Sequence, residues 1–225
     1  TRNSIAVQLF AVPSAYHGII PQIIHRASKI HPEISCHTHE TFAQEIDKNL
    51  PFQNNSLSIT CLHNRQAEQE LLKKSKNWDI SVQKLCNDNW NLFLGSSHSL
   101  AEQEIVSWKD LLAYSFCCST FPIYHPFYQD IYKQTDILYI ENHSHCLHAV
   151  AHHNKIAILP ALLSNTAYVR NRQIVTKPLP ENAEPLKFYL FAPKESNRNQ
   201  QTQHIIDIIM DCFASYTQKM LDSNE

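Results

Sequence analysis

Apolar residues along this chain fall into short β-type runs separated by stretches at helical spacing. Residues 5–10 read as a first strand, broken by Val12-Pro13-Ser14, with Ser14 a suitable N-cap for the helix after it. Ile19, Ile20, Ile23, Ile24 and Ala27 then form an apolar stripe at helical spacing. Pro21 lies early in that stripe, as a first turn or a kink, and His31-Pro32 ends it. Residues 34–38 predict a second strand. Residues 41–50 predict a second helix with Phe42, Ile46 and Leu50 inward, and residues 56–62 predict a third strand. The resulting order β-α-β-α-β is the start of an open α/β sheet.

The pattern turns polar until Trp78. Strands are then predicted over 80–85 and 91–94, with the CNDN stretch at 86–89 as a loop or crossing. Ser107 opens a short helix, SWKDLL, and residues 114–118 form another strand. The aromatic-rich segment 121–134 is expected to be helical in its second half. Residues 136–160 parse as strand, helix, strand and a proline stop. Asn142 and Ser144 are suitable N-caps, and Leu147, Val150 and Ala151 make an inward face. A strand–helix–strand of this length predicts a crossover with parallel strands. A short helix over 161–165, strands over 174–176 and 188–191, and a crossing at Pro178 and Pro180 complete the middle. A closing amphipathic helix over 201–220 turns Ile205, Ile208, Ile209, Cys212, Phe213 and Met220 inward.

Composition narrows the class. The 225 residues suffice for one large or two small domains with ordinary cores. A formal net charge of -2 offers no basic field for nucleic acid, and no apolar run reaches the length of a membrane span. No secretory signal opens the sequence. Seven cysteines at irregular spacing, with no C-x-x-C, suit a reduced cytoplasmic setting. With two glycines in the chain, turns rely on Asn, Pro, Ser and Asp.

Three words in the sequence resemble the effector-binding domain of LysR-type transcriptional regulators, and the order of elements extends the resemblance over nearly the whole chain. IAVQLFAVPSAYHGIIPQIIHRASKIHPEI is similar to that family's first strand and helix. FLGSSHSLAEQEIVSWKDLL is similar to its strand, HPLA and short-helix segment, with Ser99 where proline is common. VAHHNKIAILP resembles its VxxGxGIxLLP word, with His153 and Lys155 in place of glycines. Ser56 stands where the family often has Asp before its third strand. The resemblance implies two Rossmann-like α/β subdomains joined by two crossings, a periplasmic-binding-protein-like (type 2) architecture. Residues 1–86 with 181–225 would form subdomain I and 87–180 subdomain II. It also implies a small-molecule effector in the inter-subdomain cleft and assembly as a homodimer or homotetramer. DNA would be contacted only through an N-terminal winged helix-turn-helix, which is absent from this sequence.

Ligands of such sheets collect beyond the carboxyl ends of strands, near helix N-termini. On this chain those positions are Pro13, Ser14 and Ala15; Cys61, Leu62 and His63; Ser119, Thr120 and Phe121; Asn142, His143 and Ser144; and Pro160. Ser14 and Ser144 can cap a helix, seat a carboxylate, or both; Phe121 and Tyr124 can wall a cleft or fill core. His143, His145, Cys146, His148, His152 and His153 crowd eleven residues. His148 and His152, four apart, can face one side of a helix and are the metal candidates; their spacing matches no strong metal motif, and a polar helix face explains them as well. His37 and His39 are expected to be a solvated pair. Cys117 and Cys118 should point to opposite faces of a strand, where burial would make them inert. No G-x-S-x-G, H-E-x-x-H, phosphate loop or dinucleotide turn occurs, so neither an enzyme nor a bound cofactor is expected. A stand-alone solute-binding protein, or a metal- or thiol-responsive sensor on the same fold, are the alternatives.

Overall fold

The computed structural model describes residues 6–42, 55–62, 65–76, 80–119, 133–140, 142–179 and 184–222, with Lys74 and Ser119 described at the backbone only. The chain divides into two compact units, residues 1–88 with 186–225, and residues 89–185.

Unit one begins with β1 (Val7–Ala11), α1 (Pro13–Gly18), α2 (Ile20–Ile30), β2 (Cys36–Glu40), β3 (Ser56–Leu62), α3 (Arg65–Ser75) and β4 (Ile80–Asp88). Unit two holds β5 (Trp90–Gly95), α4 (Trp108–Leu111), β6 (Phe116–Ser119), β7 (Ile137–Ile140), α5 (His143–His152), β8 (Ile156–Pro160), a 3-10 turn (Ala161–Asn165), α6 (Ala167–Arg170) and β9 (Ile174–Pro178). The chain then returns to unit one with β10 (Leu186–Pro193) and α7 (Gln200–Asp222).

The sheet of unit one has the order β2-β1-β3-β10-β4. β1 pairs in parallel with β2 and β3, and β10 runs antiparallel to β3 and β4. Val7, Leu9 and Ala11 alternate inward along β1, the period-two signal that marks it in the sequence. The expected single helix after it is two pieces. Ile19 leaves helical backbone at φ -136°, and Pro21 sits in the first turn of α2, where its missing N–H costs nothing. The Ile19, Ile20, Ile23 and Ala27 stripe is buried as expected. Ser14 does not cap α1: the N-cap is Val12 and makes no side-chain cap, and Pro13 opens the helix. Of the helix expected over 41–50, Thr41 and Phe42 follow β2 without helical backbone, and 43–50 lie outside the described residues.

Two further expectations change. The polar stretch before Trp78 contains α3. Its apolar stripe is only Ala67 and Leu71, too narrow to stand out in the sequence, and it packs on Leu62, Tyr189 and Phe191. Glu68 on the same helix takes a hydrogen bond from Lys187 Nζ at 2.6 Å and another from the Tyr189 hydroxyl. Those two bonds hold its carboxyl below the usual carboxylate range. Of the two readings of the CNDN stretch, the crossing holds, since the units divide between Asp88 and Asn89, and the loop does not: β4 continues through Asp88, because β10 returns alongside and pairs Leu186 with Asp88 and Phe188 with Cys86. On α7, Ile205, Ile208, Ile209, Cys212 and Phe213 are buried; Tyr216 is buried too, and Met220 is half-buried.

The sheet of unit two has the order β7-β6-β8-β5-β9. β6 lies between β7 and β8 and is parallel to both, so the crossover expected from residues 136–160 skips one strand. β5 is antiparallel to β8 and β9. Leu92 and Leu94 face one core with Phe116, Ile156 and Ile158, while Phe93 faces the other with Ala157, Leu159 and α5. α4 starts as predicted: Ser107 and Asp110 form a reciprocal capping box. α5 lies so close to β5 that a Cβ on Gly95 would come within 2.8 Å of the Val150 carbonyl oxygen. Where α5 ends, Asn154 adopts φ 49°, the left-handed conformation that usually falls to glycine. The glycines missing at His153 and Lys155 are thus replaced by an asparagine between them.

Candidate functional site

In unit one, β1 and β3 end near the start of α1, and β4 ends beside them. Pro13, Ser14 and Ala15 are all buried at this edge. With no cap to make, the Ser14 hydroxyl instead hydrogen-bonds the Cys61 thiol. Burial pushes that thiol up to about 12. Leu62 is turned into the core against Tyr189 and Phe191, so its side chain packs rather than faces solvent. His63 lies outside the described residues. One group that the sequence pattern does not reveal belongs to this edge: Asp88, fully buried, accepts a hydrogen bond from the Tyr216 hydroxyl at 2.5 Å. Burial, then the Asp88 charge, push the Tyr216 phenol well above its ordinary range. The same charge acts on Cys61 and Cys86, so Ser14, Cys61, Asp88 and Tyr216 form one polar knot. The only hint in the sequence is an acidic residue just past an apolar run, in a stretch whose polarity suggests a loop.

In unit two, β6, β7 and β8 end on one side. Asn142 is the N-cap of α5: its side-chain oxygen accepts from the His145 N–H at 2.9 Å. Ser144 is not a cap. It lies half-buried in the first turn. His143 is buried beside it. Pro160 closes β8 opposite Trp90, at the same end of the sheet. Ser119 closes β6 beside Ile140. Thr120, Phe121 and Tyr124 lie outside the described residues. The structure therefore brings Asn142, His143, Ser144 and Pro160 to one edge of unit two, and Pro13, Ser14 and Ala15 with Cys61 to one edge of unit one.

The histidines sort differently. His37 and His39 are exposed on β2 and share Gln8 between them, His39 at 2.8 Å and His37 at 3.4 Å. His148 and His152 are exposed on the outer face of α5, with ring centroids 4.6 Å apart, and Tyr168 Oη lies 3.5 Å from His148 Nδ1. Among the described residues no group of three or more His, Cys, Asp or Glu converges as a metal site. No described helix is long and apolar enough to cross a membrane.

Two five-stranded mixed sheets in separate units, each with polar groups at the carboxyl ends of its parallel strands, define a two-subdomain α/β binding domain of the type 2 periplasmic-binding-protein-like class. The family described as the LysR substrate binding domain matches residues 3–214, and the chain belongs to it. No curated protein sequence matches the chain. Among solved structures it is similar to the effector-binding domain of QuiR in complex with shikimate: 15% identity, 95% of this chain and 99% of that one, TM-score 0.64. It is also similar to the CcmR regulatory domain of Synechocystis PCC6803 in complex with 2-PG, at 14% identity, 92% and 96% coverage and TM-score 0.64. A full-length BenM mutant matches at 16% identity, 96% of this chain and 70% of that one, with TM-score 0.66. At these identities the likeness is one of fold.

Proposed function

We propose that this chain is the effector-sensing regulatory domain of a LysR-type transcriptional regulator and not an enzyme. The observation that carries the reading is the family match over residues 3–214. The effector is a small hydroxylated organic acid. Its anionic group is taken by the first turn of α5, where Asn142, His143 and Ser144 sit at the positive end of a ten-residue helix. Ser14, at the edge of unit one and bonded to the Cys61 thiol, is the second hydroxyl of the candidate set. Pro13 and Ala15 line the edge of unit one and Pro160 that of unit two; the reading also includes Leu62, His63, Ser119, Thr120 and Phe121 as candidates. The similarly folded QuiR and CcmR domains, in complex with shikimate and with 2-PG, support an effector of that size.

Effector binding biases one arrangement of the two units over another by its differential affinity for them, and the domain works as a homodimer or homotetramer in the cytoplasm. DNA is reached through an N-terminal winged helix-turn-helix of the longer regulator. Native mass spectrometry of the purified chain, with calorimetric titration of hydroxylated organic acids, tests this. The expected result is an oligomer that takes up one acid per chain, with affinity weakened about tenfold by Ser144→Ala, a loss of about 1.4 kcal/mol. A chain that binds no such acid, or binds it equally well after both Ser14→Ala and Ser144→Ala, would overturn it.

A further inference from the structure

Cys117 and Cys146 come from different elements, β6 and the first turns of α5, 29 residues apart in sequence. Their sulfurs are 2.9 Å apart, well inside the contact distance of two unbonded sulfurs. Both residues are buried, at 1% and 0% exposure, in the core that α5 makes with Phe93, Leu159 and Leu163. The Cys117 sulfur also lies 3.9 Å from the Cys146 carbonyl oxygen, so the strand points its thiol along the inner side of the helix. The neighbouring Cys118 turns to the opposite face of β6, which leaves Cys146 as the partner in reach. The hydrogen bond from Cys146 and the nearby Lys155 charge favour the thiolate at Cys117, the form that reacts with oxidants.

We propose that Cys117 and Cys146 are a reversible dithiol site that a peroxide converts into a disulfide, fastening α5 to β6. The Cys117 thiolate attacks one oxygen of hydrogen peroxide, breaking the O–O bond and releasing hydroxide, and becomes a sulfenic acid. The Cys146 sulfur then attacks the Cys117 sulfur; the S–O bond breaks, and water leaves with the Cys146 proton. Two sulfurs are each oxidised by one electron and the two peroxide oxygens are reduced. The movement needed is small, since the sulfurs close from 2.9 Å to the roughly 2.05 Å of a disulfide. Burial sets the rate: peroxide reaches the pair when the first turns of α5 open locally, and resolution by the adjacent thiol is immediate once they reclose. Disulfide formation is independent of the effector reading, because the bond is detected without any ligand.

The test treats the purified chain with hydrogen peroxide, quenches it, and alkylates it with iodoacetamide under denaturing conditions. Peptide mapping by mass spectrometry comes next, with and without reduction. The expected result is a cross-linked peptide pair joining Cys117 to Cys146, lighter by two hydrogens than the separate peptides and restored by dithiothreitol. The other five of the seven cysteines stay alkylated. The oxidised chain melts at a higher temperature than the reduced one, and Cys146→Ala abolishes that rise. Full alkylation of both residues after peroxide, a sulfinic acid at Cys117, or a disulfide joining any other pair would overturn the proposal. The wild-type map decides by itself if the variant fails to fold.

Discussion

Unit one and unit two share one plan. Each has four strands running in one direction, and an antiparallel strand second from one edge: β10 in the first, β5 in the second. In both, that strand is the first one after a crossing, entered at Trp90 or Leu186. The polar construction of the units differs. Unit one is tied by side chains far apart in sequence: Tyr216 to Asp88 at a separation of 128 residues, Lys187 to Glu68 at 119, and Arg198 to Ser81 at 117. The described polar ties of unit two span shorter separations: Lys177 to the Gln103 carbonyl oxygen at 74 residues, Tyr168 to His148 at 20, and, most locally, the Asn142 cap and the Ser107–Asp110 capping box. The first unit is completed only when β10 and α7 return; the second is one continuous segment. One buried change in unit one should therefore loosen the whole return, whereas changes in unit two should act helix by helix.

The strongest break of that contrast is Asp88→Ala. It strands the Tyr216 hydroxyl in a buried site and removes a hydrogen bond to a charged group, a loss of about 3 kcal/mol. Urea denaturation should give that loss, and hydrogen exchange should show β4, β10 and α7 losing protection together. Protection lost in α7 alone would mean that the long-range ties act separately. Next in size is Gly95→Ala. A Cβ there meets the Val150 carbonyl at 2.8 Å, backbone that cannot swing aside, so α5 must shift outward at a cost of about 2 kcal/mol. Exchange should quicken in α5 and β5 while unit one keeps its protection.

The same contrast explains which features are legible in the sequence. Apolar runs and periods mark β1, β3, β7, β8 and the long closing helix, because each carries an apolar run of its own. The Asn142 cap and the Ser107 cap are readable because donor and acceptor lie three residues apart. α3 is hidden because its inward face is two residues wide and its main tie, Glu68, depends on strand β10, more than a hundred residues later. Asp88 is hidden for the same reason: a residue in an apparent loop becomes a buried strand end only when Leu186 pairs with it and Tyr216 arrives above. Ser14 and Ser144 look alike as caps in the sequence. Val12-Pro13 starts α1 earlier than a Ser14 cap requires, and Asn142 takes the cap of α5, so both hydroxyls are released from capping. The closeness of Cys117 to Cys146 has no sequence signal, since it depends on how α5 lies across β6.

Asn142→Ala sharpens the local half of the comparison. It removes the acceptor of the His145 N–H and should cost about 1 kcal/mol, confined to the first turns of α5. Thermal unfolding measures the loss, and exchange at residues 143–146 locates it. A loss spread over unit one would contradict the division into a locally built and a remotely tied unit.

The smallest effect has the opposite sign. Asn154 holds φ 49° between α5 and β8, and a side chain in that region is strained relative to glycine. Asn tolerates it better than other residues, so Asn154→Gly should gain only a few tenths of a kcal/mol, while Asn154→Ala, which keeps the Cβ and loses the short polar group that eases this region, should cost about 1 kcal/mol. Paired urea curves on the two variants decide it. A gain for glycine with a loss for alanine shows that the turn is limited by backbone conformation, and that one asparagine does the work of the glycines expected at His153 and Lys155. Equal losses for both would instead make the Asn154 side chain itself the anchor of the turn, and unit two would then hold a polar tie that its backbone geometry does not require.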